Sequence, residues 1–162
     1  QNLNKYTLHF LIYVVFFLNS PQFLYGWRRF ILRLFGANIG KKVIIRPSVE
    51  ITYPWKVVIG DYSWIGDNVV LYSLGKITIG SNTVVSQKSY LCTGSHDFNS
   101  VAFDIFEKPI VIGNSCWIAT DVFVAPGVQI VDEVIVGARS SVFKSIVTKG
   151  IYKGNPVAKK EV

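Results

Sequence analysis

The stretch IGNSCWIATDVFVAPGVQIVDEVIVGARSS, residues 112–141, divides into five units of six residues. Each unit begins with Ile or Val, and in four of the five the next residue is Gly or Ala. The same period occurs upstream in IGDYSWIGDNVV, residues 59–70, and in IGSNTVVSQKSYLCTGSH, residues 79–96. A fixed period of six residues is typical of a β-helix, in which each unit supplies one short strand and one tight turn.

The period predicts an all-β fold, a left-handed parallel β-helix of hexapeptide repeats over residues 37–162, with a C-terminal tail. Three units close one triangular coil, the aliphatic residue of each unit points inward, and stacked coils pair at about 4.8 Å. Gly or Asn/Asp after the aliphatic residue is expected to take the unusual backbone conformation at each corner. A β-sandwich, with turn signals every 8–12 residues or so, does not fit this period. The repeat breaks after His96, which predicts one long loop from residue 97 to about residue 111.

Residues 1–36 lack the repeat and are predicted to form a separate helical segment. The run YTLHFLIYVVFFL, residues 6–18, is shorter than the roughly 20 apolar residues that a membrane-spanning helix needs. The following stretch, NSPQFLYGWRRFILRLFGANIG, predicts an amphipathic helix with Ser20 as N-cap and Gly36 closing its end. One stripe of this helix is apolar: Phe23, Leu24, Trp27, Phe30, Ile31, Leu34 and Phe35. Arg28, Arg29 and Arg33 occupy the other side, so the stripe either packs on the protein with the arginines solvated or contacts a membrane surface.

The net charge of +7 lies entirely in the N-terminal part of the chain. No Asp or Glu precedes Glu50, whereas seven basic residues do, and from Glu50 onward ten basic and ten acidic residues cancel. Basic residues beside an apolar run favour a membrane surface over nucleic acid. We therefore expect peripheral membrane contact through residues 1–36 and no nucleic-acid partner.

Histidines and cysteines are too few for a metal centre. The chain has only His9 and His96, and His9 lies in the apolar run, so a zinc site built from converging histidines is not expected. Cys92 and Cys116 are expected to be small hydrophobic residues of a protein in a reducing compartment.

Beyond the period, several stretches have a more specific resemblance. They include WRRFILRLFGANIG (residues 27–40), VVSQKSYLCTGSHDF (84–98), KPIVIG (108–113), VGARSSV (136–142) and YKGNP (152–156). On these the chain resembles the hexapeptide-repeat acetyltransferases over nearly its whole length, most closely their colanic-acid-biosynthesis branch. The combination of TGSHDF with KPIVIG is more specific than the repeat itself.

The resemblance implies that His96 is the catalytic base and that acetyl-CoA binds in a groove between neighbouring subunits of a homotrimer. His96 would take a proton from a sugar hydroxyl, a poor nucleophile that neutral imidazole can activate. Gln87, Asn68, Asp97 and Glu107 are candidate acceptor-binding residues, and Glu107 is also a candidate for orienting His96. The residues implied at the acetyl-CoA site are Trp117, Ala119, Ala138, Arg139, Lys144 and the turn of Gly154, Asn155 and Pro156.

One departure concerns the acceptor. Gly66 stands where the maltose and galactoside branch has an acceptor-binding asparagine, and Asn68 lies two residues on. A free hexoside is therefore not assumed as the acceptor.

The predicted function is O-acetylation of a sugar hydroxyl of an exopolysaccharide or other surface-glycan precursor, at the cytoplasmic face of the membrane if the acceptor is lipid-linked. Two alternatives stay open: an acyltransferase that uses a different acyl donor, and a non-catalytic trimeric scaffold.

Overall fold

A computed structural model describes residue 17 and residues 19–160 of the chain, which form one α-helix, a short 3₁₀ helix (Pro54–Lys56) and a stack of triangular coils. Helix α1 is Tyr25–Leu34. Face 1 of the stack contains β1 (Asn38–Ile39), β4 (Val57–Ile59), β7 (Ile77–Ile79), β12 (Ile110–Ile112) and β15 (Gln129–Ile130). Face 2 contains β2 (Ile44–Ile45), β5 (Trp64–Ile65), β8 (Val84–Val85), β13 (Trp117–Ile118), β16 (Val134–Val136), β18 (Gly150–Lys153) and β19 (Ala158–Lys159). Face 3 contains β3 (Glu50–Ile51), β6 (Val70–Tyr72), β9 (Tyr90–Cys92), β14 (Phe123–Val124) and β17 (Ser141–Val142).

Within the three faces, equivalent strands of successive coils pair in parallel. The exception within the faces is β19, which pairs antiparallel with β18. The first residues of the hexapeptides are stacked in three buried columns. The columns are Ile39, Ile59, Ile79, Ile112 and Ile130; Ile45, Ile65, Val85, Ile118 and Val136; and Ile51, Leu71, Leu91, Val124 and Val142. The predicted fold class, an all-β parallel β-helix of hexapeptide repeats, is confirmed.

The glycines of the repeat have a different role from the predicted one. The left-handed conformation is taken by the residue two positions later, such as Tyr62 (φ 59°) after Gly60 and Asn82 (φ 54°) after Gly80. At Gly80 a Cβ atom would lie 2.5 Å from the backbone carbon of Gly113 in the next coil. Glycine is therefore needed because successive coils approach closely, and the prediction that it supplies the corner conformation is wrong.

Helix α1 ends as predicted but does not begin as predicted. Gly36 has φ 88°, its N–H donates to the Arg33 carbonyl, and the next N–H, of Ala37, donates to the Leu32 carbonyl. The helix begins at Tyr25, after Leu24, without a side-chain cap, so the N-cap prediction for Ser20 is wrong. The predicted apolar run of residues 6–18 lies, except for Phe17, outside the described residues.

Ser20 instead belongs to a buried network around Arg28, whose side chain is completely inaccessible to solvent. Arg28 Nη1 donates to Ser20 Oγ at 2.8 Å, and Arg28 Nε donates to the Ile45 carbonyl at 2.6 Å. The remaining guanidinium hydrogens reach the carbonyls of Pro21 and Gln22. Every hydrogen bond of this buried cation is therefore made to a neutral oxygen.

The other two arginines of the helix bind the same end of the β-helix. Arg29 Nη1 donates to the Val43 carbonyl at 2.8 Å, and Arg33 Nη2 donates to the Ile39 carbonyl at 2.7 Å. These acceptors belong to the first coil, which has no preceding coil to pair with among the described residues. The guanidinium groups thus cap an edge that would otherwise expose backbone acceptors. The prediction that the arginines are solvated is wrong for Arg28, which is fully buried, whereas Arg29 is half-buried and Arg33 remains exposed while it binds the coil.

No helix within residue 17 and residues 19–160 has the length and apolarity required to cross a bilayer.

Substitution of Arg28 by Met is expected to lower the free energy of unfolding by about 3 kcal/mol, because it leaves the buried Ile45 carbonyl and the Ser20 hydroxyl without their donor. Urea unfolding followed by circular dichroism measures the change. Arg139→Met is the matched control: its side chain is 85% exposed, so a change within about 0.5 kcal/mol is expected. Equal effects of the two substitutions would contradict the capping role of Arg28.

Candidate active site

The repeat is interrupted between β9 and β12 by a β-hairpin. Its strands are β10 (Gly94–His96) and β11 (Ile105–Glu107), paired antiparallel with His96 opposite Ile105. The predicted loop is therefore shorter than expected: residues 97–104 connect the two strands, and face 1 resumes at Ile110. His96 lies at the outer end of a strand, where the hairpin projects from the corner between faces 3 and 1. We call this corner the hairpin edge.

His96 is exposed and is held through one of its two ring nitrogens. Nδ1 lies 2.8 Å from the carbonyl oxygen of Phe103, and the two rings are stacked with centroids 4.8 Å apart. A carbonyl can only accept a hydrogen bond, so Nδ1 carries the proton when the ring is neutral and Nε2 keeps its lone pair. This arrangement leaves the Nε2 lone pair of the neutral ring available to act as a base.

Phe103 was not among the predicted site residues. It contributes a backbone oxygen, and its backbone adopts φ 53°. A carbonyl is common to every residue, so the sequence contains no signal for this contact except the proximity of Phe103 to His96.

The two acidic candidates near His96 have structural partners. The Asp97 carboxylate accepts from the Asn99 N–H at 2.9 Å and so shapes the turn of the hairpin. Glu107 lies at the base of the hairpin, opposite Gly94, and its carboxylate is 2.9 Å from Lys56 Nζ. The Phe103 carbonyl, rather than Glu107, orients His96 in this structure.

Most other candidates are aligned along the corner between faces 2 and 3, which we call the cleft edge. Asn68 and Gln87 are exposed at this edge on the second and third coils, Ala119 is buried in it on the fourth, and Ala138 and Arg139 are exposed on the fifth. Backbone hydrogen bonds join the turns, for example from the Asp121 N–H to the Gln87 carbonyl at 3.0 Å. Residues separated by as many as 71 positions are thereby placed on one line along the stack.

An open cleft of about 510 Å³ lies beside this edge on face 2. Its apolar floor includes the outward side chains of Trp64 and Trp117, with Val84 between them in register. Polar groups line its other side: Arg46 Nε lies 2.8 Å from Asp67 Oδ2, and Gln87 is exposed at the rim. The structure thus brings together Trp117 and Gln87, which were predicted for different ligands.

Trp64 was not predicted for this site, although the sequence contains a signal for it. Trp64 and Trp117 both end a hexapeptide, IGDYSW and IGNSCW, so the repeat places them on the same outward position of different coils. The indole N–H of Trp117 donates to Ser86 Oγ at 3.0 Å, which fixes the ring at the cleft.

The C-terminal candidates form a separate group. Lys144 and Pro156 line a pocket of about 290 Å³ together with Tyr152 and Lys159. Gly154 and Asn155 belong to the turn that joins β18 to β19, and the Gly154 N–H donates to Ser140 Oγ at 3.0 Å. This pocket lies beyond the last coil that carries Ala138 and Arg139, so it continues the series of candidates along the stack.

Face 3 separates the cleft edge from the hairpin edge. It carries an outward row of aromatic rings whose neighbouring centroids are 6.2, 6.2 and 5.8 Å apart: Tyr72, Tyr90, Phe123 and Phe143. None of the described residues that line the cleft belongs to the hairpin. A single chain therefore places His96 and the cleft at opposite borders of one face.

The cysteines are ill suited to form a covalent intermediate. Burial raises the pKa of the Cys92 thiol and of the Cys116 thiol, which disfavours the nucleophilic thiolate. Among the residues that the structure describes, no group of three or more His, Cys, Asp or Glu side chains converges as a metal site would require.

Comparison with known proteins identifies the family. The chain is 62% identical over 155 residues to the Escherichia coli K12 protein "Putative colanic acid biosynthesis acetyltransferase WcaF", covering 96% of this chain and 85% of that protein. The chain belongs to the hexapeptide-repeat acetyltransferases. The predictions of family and enzyme class are confirmed, while a scan against protein-family models found no match.

Solved structures of other hexapeptide-repeat acetyltransferases share the fold. A protein of this family from Vibrio cholerae, solved with acetyl coenzyme A, superposes with a TM-score of 0.86 at 23% identity over 98% of this chain and 87% of that one. A galactoside acetyltransferase in complex with coenzyme A gives a TM-score of 0.88 at 24% identity over 98% of this chain and 80% of that one. At these identities the likeness establishes the fold.

The Lys56–Glu107 pair is expected to hold the hairpin in place for acetyl transfer, because Lys56 also donates to the Leu74 carbonyl of the neighbouring coil. Lys56→Glu should lower kcat roughly tenfold, since small displacements of a catalytic group are costly. The exchange Lys56→Glu with Glu107→Lys should recover part of that loss, because it restores the ion pair but not the donation to the Leu74 carbonyl. Steady-state acetyl-transfer kinetics measure both.

Lys149→Glu serves as the matched control, because Lys149 pairs with Glu133 away from the hairpin at 3.1 Å. Its kcat should stay within about twofold of wild type. A charge exchange that recovers no activity would show that the ion pair does not position the hairpin.

Proposed function

We propose that this acetyltransferase transfers the acetyl group of acetyl-CoA to a sugar hydroxyl, with His96 Nε2 as the general base. The observation that carries the proposal is the hydrogen bond from His96 Nδ1 to the Phe103 carbonyl, which in the neutral ring leaves the lone pair on Nε2 of this exposed side chain. The ligands of the solved relatives, acetyl coenzyme A and coenzyme A, support the choice of donor.

In the proposed reaction Nε2 takes the proton of the acceptor hydroxyl as its oxygen attacks the thioester carbonyl carbon. The tetrahedral intermediate collapses with cleavage of the carbon–sulfur bond, and the imidazolium returns the proton to the leaving sulfur. The products are an O-acetyl ester and free CoA. Backbone N–H groups at an exposed turn are the proposed donors to the oxyanion.

The order of the candidates along the stack supports a separate region for each substrate. Asn68 and Gln87 lie on the second and third coils, where the cleft offers the Trp64 indole face for a sugar ring and polar groups for its hydroxyls. The predicted acetyl-CoA residues follow on later coils: Trp117, Ala119, Ala138, Arg139, Lys144 and the turn of residues 154–156. Lys144 and Lys159 beside the C-terminal pocket supply positive charge for CoA phosphates.

A homotrimer would bring the two halves of this site together. The hairpin edge of one copy would face the cleft edge of the next, and cyclic symmetry would repeat the contact three times. The large exposed apolar side chains of the hairpin, Phe98 and Ile105, are 80% and 66% exposed and suit such a contact. Each active site would then use His96 from one subunit and the cleft of its neighbour.

The proposed acceptor is a sugar of an exopolysaccharide or other surface-glycan precursor, carried on a lipid at the cytoplasmic face of the membrane. The 62% identity to a protein named for colanic acid biosynthesis supports this class of acceptor. The N-terminal sequence, apolar and free of acidic residues before Glu50, supports work at a membrane surface through residues 1–36. Two alternatives are a longer acyl donor and a trimeric scaffold without catalysis.

Replacing His96 by Ala should reduce acceptor-dependent release of CoA thiol by about 10²- to 10⁴-fold, the usual contribution of a general base. The acceptor is an extract of lipid-linked sugar intermediates, and mass analysis of the product identifies the acetylated sugar. His9→Ala, which changes the other histidine, is the control and should retain wild-type rates.

Three further outcomes distinguish the proposed function from its two alternatives. Faster release from butyryl-CoA than from acetyl-CoA would favour the longer donor. Full activity of His96→Ala would contradict the assignment of the base. Absence of both thiol release and CoA binding in the wild-type protein would favour the scaffold.

A further inference from the structure

The outer side of helix α1 is an exposed apolar stripe. Phe30 and Leu34 are 55% and 65% exposed and lie about one turn apart on the same side of the helix, and Phe23, which is 75% exposed, lies in the turn just before the helix begins. The ring of Trp27 stacks on that of Phe30 with centroids 5.9 Å apart. We call Phe23, Phe30 and Leu34 the α1 stripe.

The α1 stripe lies at an end of the coil stack. Arg28 and Leu32 lie on the opposite side of the helix, where Arg28 donates to the Ile45 carbonyl of the first coil and Leu32 is buried. The stripe therefore points away from the coils along the axis of the stack. Side-by-side association of β-helices, as in the proposed trimer, would leave the stripe uncovered and would present three copies of it in one direction.

The charge at this end of the molecule is positive. Lys41 and Lys42 are exposed in the first turn of the first coil, next to the strands on which α1 packs. No Asp or Glu occurs in the sequence before Glu50. An end-to-end contact with a second copy would bring these lysines against their equivalents, whereas an anionic surface would be attracted to them.

We infer that the α1 stripe docks on the surface of a bilayer that contains anionic phospholipids. The three apolar side chains enter the interface between headgroups and acyl chains, and Lys41 and Lys42 lie near the lipid phosphates. This deepens the proposed function by naming the surface through which the enzyme would reach a lipid-linked acceptor. The docking itself needs neither acetyl-CoA nor acceptor, so it can be tested without the reaction.

The test is co-sedimentation of the full chain with vesicles of phosphatidylcholine containing about 30% phosphatidylglycerol, a typical anionic composition. Wild-type protein should sediment with these vesicles, and less with phosphatidylcholine alone. The triple substitution Phe23→Ser, Phe30→Ser and Leu34→Ser should weaken partitioning at least tenfold, because it removes the apolar surface that would leave water on binding.

The matched control replaces three exposed valines outside α1 and outside the hairpin in the same way, Val111→Ser, Val131→Ser and Val147→Ser, and should bind as wild type does. Circular dichroism confirms that both variants are folded. Failure of the wild-type protein to bind anionic vesicles would overturn the inference. Unchanged binding by the triple variant would overturn it as well, since another segment, such as residues 1–18, would then hold the membrane.

Sedimentation velocity without lipid tests the other occupant of the stripe. If the triple substitution halves the mass of the wild-type particle, the stripe is a contact between copies and the membrane assignment is wrong. Acetyl transfer to a water-soluble acceptor in the same samples reports on the proposed function separately, because it does not require vesicle binding.

Discussion

The parallel pairing of each coil with the next is the constraint on which the rest of this structure depends. Backbone hydrogen bonds run along the axis of the stack, so a residue at one position of a coil lies directly above its equivalent in the coil before. The close approach of coils at Gly60 and Gly80 leaves no space for a Cβ atom. Because the pairing also fixes every outward side chain, it determines which residues can meet along an edge.

In an open stack, the backbone of the terminal coil has no neighbouring coil to pair with. Here the first coil is covered by α1, and three arginines donate to its carbonyl oxygens. Cationic side chains reach farther than a backbone N–H and so can cap a coil with a helix that lies across it. This capping orients α1 so that the arginine contacts face the first coil and the α1 stripe faces outward.

The candidate active site depends both on the regular coils and on the hairpin that interrupts them. The regular coils place Asn68, Gln87, Ala138 and Arg139 on one edge, although they are widely separated in sequence. The interruption after β9 creates a hairpin, which carries His96 beyond the surface of face 3. Since neither element alone places a base beside a cleft, the proposed enzyme needs neighbouring copies to complete the site.

The sequence predicts the fold well because the period of six is a direct record of the coil geometry. It also marks His96, which stands where the repeat breaks, as a candidate base, and the alignment of the cleft-edge candidates follows from their hexapeptide positions. Other features depend on contacts that leave no periodic trace. The Phe103 carbonyl could have come from any residue, and the glycine role became clear only from the distance between coils.

The contacts of the α1 arginines also could not be predicted from the sequence. A basic helix side is usually solvated, and the burial of Arg28 requires carbonyl groups from a distant strand that no local pattern reveals. The same contacts explain why the N-terminal charge is only partly available to an external partner. Lys41 and Lys42 remain exposed, whereas Arg28 is fully buried.

In the proposed mechanism the Phe103 carbonyl holds His96 as the Nδ1–H tautomer, with Nε2 free to act as the base. The most direct measurement is a long-range ¹H–¹⁵N correlation spectrum of histidine-labelled protein at about pH 8, where a free imidazole is neutral. His96→Gln assigns the resonances. We expect a protonated Nδ1 and an unprotonated Nε2 for His96 in this spectrum. A dominant Nε2–H tautomer would contradict the proposed mechanism.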